Sequence, residues 1–388
     1  MSFGDIDLEA LRRRRSEKWR AYPPDVLPAH IAEMDFELAA PIQEALVEAV
    51  RAGDVGYAHP RGSGLAEAFA AFARGRWGWD VDPDAIVAVP DVMVGVAELL
   101  RILTPEGAGV VINTPVYYPF FSVIAEVGRR VVEVPMRENG LPLDGMRDAL
   151  GAGARAVLLC NPHNPTGYVA HAEGLRELGA LVAEHDAVLL SDEIHAALTF
   201  PGVQHVPICS VVEHAIALTS ATKPWNLAGL KCGLAIAPSR RGALQSLPVD
   251  LHDRIGHLGV IASTVAFTNG GDWLDALREY LAETHRDLPG LLAEHAPGVG
   301  VAPARATFLA WLDFRETGIA DDPAGAVLGR GRVALYQGTR FGSVGKGFAR
   351  LNIGTSHALV EEAVRRIGAS LENRTAGVRP QGSDPEGV

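Results

Sequence analysis

Cysteine is scarce in this chain, with three in 388 residues at Cys160, Cys209 and Cys232. Far apart and odd in number, they offer neither a disulfide framework nor the paired spacing of a metal site. An excess of positive charge is also lacking. With 35 Lys and Arg against 47 Asp and Glu, the formal net charge is −12. That balance argues against a nucleic-acid or anionic-membrane surface, since both recruit cations. The one basic run, Arg12–Arg15, stands among Leu8, Leu11 and Trp19 and reads as the solvated face of an amphipathic helix. No apolar run approaches the roughly 20 residues of a membrane span, and the N-terminus has no apolar stretch of the signal-peptide kind. A Gly-x-x-x-x-Gly-Lys-Ser/Thr phosphate loop is missing too. The expectation is a soluble cytoplasmic protein without a metal and without nucleic-acid or membrane partners.

What is present is a long alternation. Apolar runs at 85–90, 109–113, 130–135, 156–160, 187–191, 215–220 and 233–238 read as strands, with helix-like stretches at 93–103, 118–128, 143–150 and 172–185 between most of them. Runs apolar on both faces and separated by helices predict an α/β fold, a mainly parallel seven-stranded sheet covered by helices. They do not predict strand order. Upstream, residues 5–20 read as a helix, Pro41 opens another, and 53–64 is a loop before a helix from Leu65 to about Trp77. Past residue 250 a long helical region (251–295) leads to ATFLAWLDF, VALYQGTRFG and ARLNIGTS, which read as a smaller α+β domain closed by a helix at 357–371. The expected organisation is an N-terminal segment at 1–45 joining the small domain, a large domain at 46–285, a small domain at 286–372 and a disordered tail at 373–388.

Three stretches fall just past predicted strands: NPHNPTG (161–167), SDEIH (191–195) and SATKPWNLAGLKCG (220–233). In open α/β sheets the ligand site lies at the carboxyl ends of the strands, which is a physical reason to group them. Singly each has a plain structural reading: NPTG as a turn, Asp192 as a helix N-cap, Lys223 as a surface charge. Together they offer a set of chemical tools. A lysine at the sheet edge can condense with a carbonyl cofactor once its surroundings lower its pKa. A buried aspartate can hold a ring nitrogen protonated, an asparagine can donate to a ring oxygen, and turn hydroxyls with helix N-terminal N–H groups can hold a phosphate. Pyridoxal phosphate requires that combination.

In their order and spacing these motifs resemble fold-type I pyridoxal-phosphate enzymes of the class I/II aminotransferase superfamily, from HIAEMDF (30–36) to RLNIGTS (350–356). MDF, DEIH, KPWNLAGLKC and RLN look most like the cystathionine β-lyase, or C–S lyase, branch. The resemblance implies Lys223 as the Schiff-base lysine and the base at the substrate Cα. It implies Asp192 on the pyridine nitrogen, Asn164 on the ring 3′-oxygen, and Tyr117 stacked on the ring as a third member of the catalytic set. His195 falls where aminotransferases usually carry a tyrosine. Ser220 and Thr222 would hold the phosphate, with Lys231 in place of the commoner arginine and the backbone of Val92 and Met93 opening a helix against it. Relatives usually have Gly where Asp91 stands, so either this acid points away from a phosphate or the alignment here is shifted by one residue. Arg350 would grip the substrate carboxylate, with Asp35 and Phe36 as substrate-pocket residues. Tyr57 would reach the phosphate of a neighbouring subunit, which implies a homodimer with shared active sites. The expected reaction is β-elimination on cystathionine or another S-substituted cysteine. The alternatives are an aminotransferase, or a decarboxylating or oxidative enzyme of specialised metabolism.

Overall fold

The computed structural model describes residues 3–59, 63–137 and 140–372. The expected disordered tail, and the centre of the 53–64 loop, lie outside them.

All seven apolar runs become strands of one sheet: β1 (Ile86–Val89), β2 (Gly109–Ile112), β3 (Arg130–Glu133), β4 (Ala154–Cys160), β5 (Val188–Asp192), β6 (Ile216–Thr219) and β7 (Gly233–Ile236). Their order is β1-β7-β6-β5-β4-β2-β3. Strands β2, β5, β6 and β7 are buried at every position, the pattern of a sheet covered on both faces. The edge strand β3 instead exposes Arg130 and Glu133, charges that discourage edge-to-edge pairing. Strands β2 to β6 pair in parallel. β7 runs antiparallel to both β6 and β1. The connection from β6 to β7 contains only turns and one 3-10 turn, Ala228–Leu230. Without a crossover helix a parallel return is not available, so this strand reverses.

Helices α1 (Ala40–Ala52), α2 (Leu65–Trp77), α3 (Val92–Leu103), α4 (Pro119–Glu126), α5 (Leu143–Gly151) and α6 (Ala172–Glu184) flank or precede the sheet. Two expected helices differ. Residues 5–20 form two short helices, Leu8–Arg12 and Glu17–Arg20. The arginine run falls at the break, and the Ser16 hydroxyl donates to Glu33 across it at 2.6 Å. The long region past 250 divides into α7 (His257–Asn269) and α8 (Gly271–His295) at Gly270. There the backbone meets the Trp225 indole: a Cβ would lie 2.4 Å from its Nε1, which donates to the Gly270 carbonyl at 2.9 Å.

A four-stranded antiparallel sheet follows: β8 (Gly300–Val301), β9 (Leu309–Asp313), β10 (Tyr336–Gln337) and β11 (Phe348–Asn352), ordered β10-β11-β9-β8. It is backed by α9 (His357–Glu372). α8 ties the two parts together, because Trp273, Leu274, Leu277 and Leu281 join the large core while Leu288 and Leu292 join the small one. The N-terminal segment does the same, with Met34 and Phe36 in the large core and Leu27 and Ala29 in the small one. Among the described residues no helix is long and apolar enough to cross a membrane.

Candidate active site

Strand register builds the site. Cys160, Asp192 and Leu218 lie side by side at the carboxyl ends of β4, β5 and β6. The chain leaving each strand wraps a cavity of about 220 Å³ lined by Tyr117, Asn164, Asp192, His195, Thr222 and Lys223, with Asp91, Val92, Met93 and Lys231 also on its wall. The three stretches at the strand ends therefore converge on one cavity, and Val92 and Met93 reach it from the start of α3.

Asp192 ends β5 and is 2% exposed. One carboxylate oxygen accepts from the Ile194 N–H at 3.0 Å. Burial outweighs that bond and the weaker pull of the Lys223 charge, and pushes its pKa up to about 7, because a buried carboxylate loses its hydration. Glu193 turns to the opposite side of the strand, where it accepts from Ile208 N and meets His205 Nε2 at 3.1 Å. In DEIH, then, only the Asp, Ile and His face the cavity.

Lys223 sits in the tight turn after β6, where Trp225 N donates to Ala221 O and Leu227 N to Thr222 O. Its Nζ donates to the Ala32 carbonyl at 2.7 Å. The Asn226 amide bonds both the N–H and the carbonyl of Met34, at 2.9 and 2.8 Å, and straps the N-terminal segment over the lysine turn. Burial first, then the Arg350 charge, lowers the lysine pKa to about 8, against the opposite pull of Glu33 and Asp192. A minor but useful fraction of such an amine is uncharged just above neutral pH, far more than for a free lysine, as a nucleophile and a base require.

Asn164 accepts through Oδ1 from Arg350 at 3.1 Å, which leaves its Nδ2 as the donor for a ligand. Arg350, on β11 and 1% exposed, also donates to the His30 carbonyl at 2.9 Å. Its Nε has no partner. His195 is buried with Nδ1 unpartnered. Burial, then Lys223 and Arg350, holds this imidazole neutral with a pKa near 3, so it can share a hydrogen bond but not act as an acid at neutral pH.

At the far end, α3 opens with Val92 and Met93 beside the lysine loop. Gly233 allows this approach, since a Cβ there would stand 3.2 Å from Val92 N. Asp91 does not point fully away, as it lines the cavity. One of its oxygens caps Val94 N at 2.8 Å and the other lies 3.3 Å from Lys231 Nζ. The acid on this wall is thus balanced by its own lysine, whose backbone is left-handed with a φ of 53°.

Other expected residues fall elsewhere. Asp35 and Phe36 are not brought to the cavity. Asp35 forms a buried pair with Lys18 at 2.8 Å and accepts from Trp19 Nε1 at 3.0 Å. Phe36 packs edge-on against Phe3 and Tyr280. From that segment it is Ala32 that lines the cavity. Ser220 sits just behind the wall, donating to the Cys232 carbonyl at 2.5 Å and accepting from Thr222 N at 3.0 Å. Tyr57 is 83% exposed. Cys160, Ile194 and Ala228 also line the cavity, and as small or apolar side chains they carried no chemical signal in the sequence.

The residues present fit pyridoxal phosphate. A buried acid with no cation in contact, a histidine nitrogen without a partner and a lysine of lowered pKa converge on one cavity that reaches the first residues of α3. Arg350, with its Nε unpartnered, stands behind Asn164 rather than on the cavity wall. The class the fold and site define is that of an α/β enzyme with a buried lysine, aspartate and asparagine at neighbouring strand ends. The model for the aminotransferase class I and II family matches residues 41–367, and the chain belongs to this family. A provisionally named cystathionine beta-lyase of Mycobacterium leprae is 42% identical to it over 95% of this chain and 98% of its own length. The cystathionine beta-lyase of Corynebacterium glutamicum is 35% identical, covering 94% of this chain and 99% of its own. Among solved structures, a provisionally named PLP-dependent beta-cystathionase of Corynebacterium diphtheriae superposes with a TM-score of 0.90 at 36% identity, covering 94% of this chain and 98% of that one.

Proposed function

We propose that this protein is a pyridoxal-phosphate-dependent C–S β-lyase that converts cystathionine or another S-substituted L-cysteine, with water, to a thiol, pyruvate and ammonia. The observation that carries this reading is the meeting of Lys223, Asp192 and Asn164 at three neighbouring strand ends. The likeness over nearly the whole chain to cystathionine β-lyases supports the choice of reaction.

When bound, pyridoxal phosphate joins a lysine amine through its aldehyde and supplies a cationic ring that accepts the electron pair left when a Cα–H bond breaks. Asp192 supplies the carboxylate for the ring nitrogen, and a cation there relieves the burial that raises its pKa. Asn164 Nδ2 and neutral His195 serve the ring oxygen, and Tyr117 covers the ring. Thr222, Lys231 and the N–H groups of Val92 and Met93 hold the phosphate, with Ser220 bracing Thr222 from behind the wall. Arg350 takes the substrate carboxylate on its Nε edge. Lys223, with a pKa of about 8, accepts the proton from Cα, and the thiolate departs from Cβ with the electron pair of the C–S bond. Matching its pKa to the working pH lets one amine both take and return a proton. The assembly this reading carries is a cytoplasmic homodimer, in which exposed Tyr57 of one copy completes the phosphate end of the other.

The test is release of pyruvate and free thiol from L-cystathionine with no 2-oxo acid added. Turnover that appears only when a 2-oxo acid is supplied would make the protein an aminotransferase instead.

A further inference from the structure

We propose that Arg340 reads the far end of the substrate, selecting S-substituted cysteines whose S-substituent ends in a carboxylate. This deepens the lyase reading and rests on it.

Arg340 lies on the 3-10 turn Gly338–Phe341 that follows β10. Its guanidinium carbon is 4.7 Å from the ring centroid of Tyr118 and 5.5 Å from that of Tyr336. Among the described residues no carboxylate pairs with it, although the chain has more acids than bases. The two phenols share a hydrogen bond of 3.0 Å between their hydroxyls. The Tyr336 ring also lies 4.9 Å from the guanidinium of buried Arg350. One tyrosine ring therefore carries two arginines, one buried with an unpartnered Nε and one exposed. Tyr118 in turn follows Tyr117, which lines the cavity.

A guanidinium held over aromatic rings keeps its charge and an open edge for a carboxylate, with little side-chain freedom left to lose on binding. Two such groups on one shared ring suit a molecule with two carboxylates, the α-carboxylate at Arg350 and a second at Arg340. A substituent ending in an alkyl group gives Arg340 nothing to bind.

The experiment compares kcat/KM for S-carboxymethyl-L-cysteine and its neutral counterpart S-ethyl-L-cysteine in the wild-type holoenzyme, Arg340→Gln and Arg340→Lys. In parallel, the unreactive pair L-aminoadipate and L-norleucine is titrated against the cofactor absorbance. Wild type should prefer the acidic member of each pair. In Arg340→Gln that preference should fall about tenfold, mainly through KM, with partial recovery in Arg340→Lys. An acid-to-neutral ratio equal in wild type and Arg340→Gln overturns the proposal. If wild type cleaves neither derivative nor L-cystathionine, the lyase reading fails; in that case, or if only L-cystathionine is cleaved, the titration still decides on Arg340. Selective binding of L-aminoadipate that is lost in Arg340→Gln supports it, and equal binding contradicts it.

Discussion

The two ends of the cavity solve the problem of charge in opposite ways. At the sheet edge, Asp192 and Lys223 are buried enough that their pKa values move toward neutrality, up to about 7 and down to about 8. The protein leaves these groups short of counter-charge, and the missing charge has to come with a ligand. At the start of α3, Asp91 and Lys231 stand 3.3 Å apart with side chains 34% and 62% exposed. Here the counter-charge is built in and water screens what remains. Function therefore concentrates in the wall where water is excluded, and substitutions should matter in that proportion.

The largest effect is expected at Lys223. Lys223→Ala should reduce pyruvate release from L-cystathionine by about a thousandfold or more, since the attachment group and the base are lost together. Asp192→Asn should follow, lowering turnover by roughly a hundredfold. The same variant should have an opposite effect on the cofactor-free protein. The folded-state pKa of Asp192 lies above its unfolded value, so the group binds protons in the folded state at pH values where the unfolded chain has released them. Its contribution to stability therefore declines as pH rises from about 4 to about 7. Thermal melts of cofactor-free protein should show Asp192→Asn gaining on wild type at pH 8 relative to pH 5. A constant difference would break the contrast drawn between the two ends.

The smallest effect belongs to the helix end. Asp91→Asn keeps the capping geometry but removes an anion from the proposed phosphate end, and should tighten cofactor binding about two- to fivefold by equilibrium dialysis at low salt. Lys231→Ala should weaken it, and both changes should shrink at high salt. Effects as large as those at Lys223 would show that this end is no less sealed than the wall.

How much of this was legible in the sequence follows from the same physics. The seven strands could be read because burial on both faces leaves continuous apolar runs, as in VLLSD and IALT. Their order could not, because a parallel strand reads the same wherever it sits. β7 differs only in lacking a crossover helix before it. Lys223, Asp192 and Asn164 were findable because polar groups at the ends of apolar strands stand out. Asp35 and Phe36 misled for the converse reason, since an acid in an apolar segment looks the same whether it faces a cavity or pairs with Lys18 inside the fold. Asp35→Ala tests that correction. It strands the Lys18 charge and should cost about 3–5 kcal/mol of stability, read by denaturant unfolding. A loss confined to substrate affinity would restore Asp35 to the pocket. Arg340 carried no signal at all, because only the fold brings its turn onto Tyr118.

The central claim is that the amine at the end of β6 is where the cofactor is held. It is tested most directly by adding pyridoxal phosphate to the purified protein, reducing with borohydride and mapping the modified peptide by mass spectrometry. The account predicts a protein that turns yellow with the cofactor, loses that colour on reduction and then carries one pyridoxyl group fixed on Lys223, absent in Lys223→Ala. No fixed label, or a label on Lys231 or on surface lysines with Lys223 untouched, would contradict it.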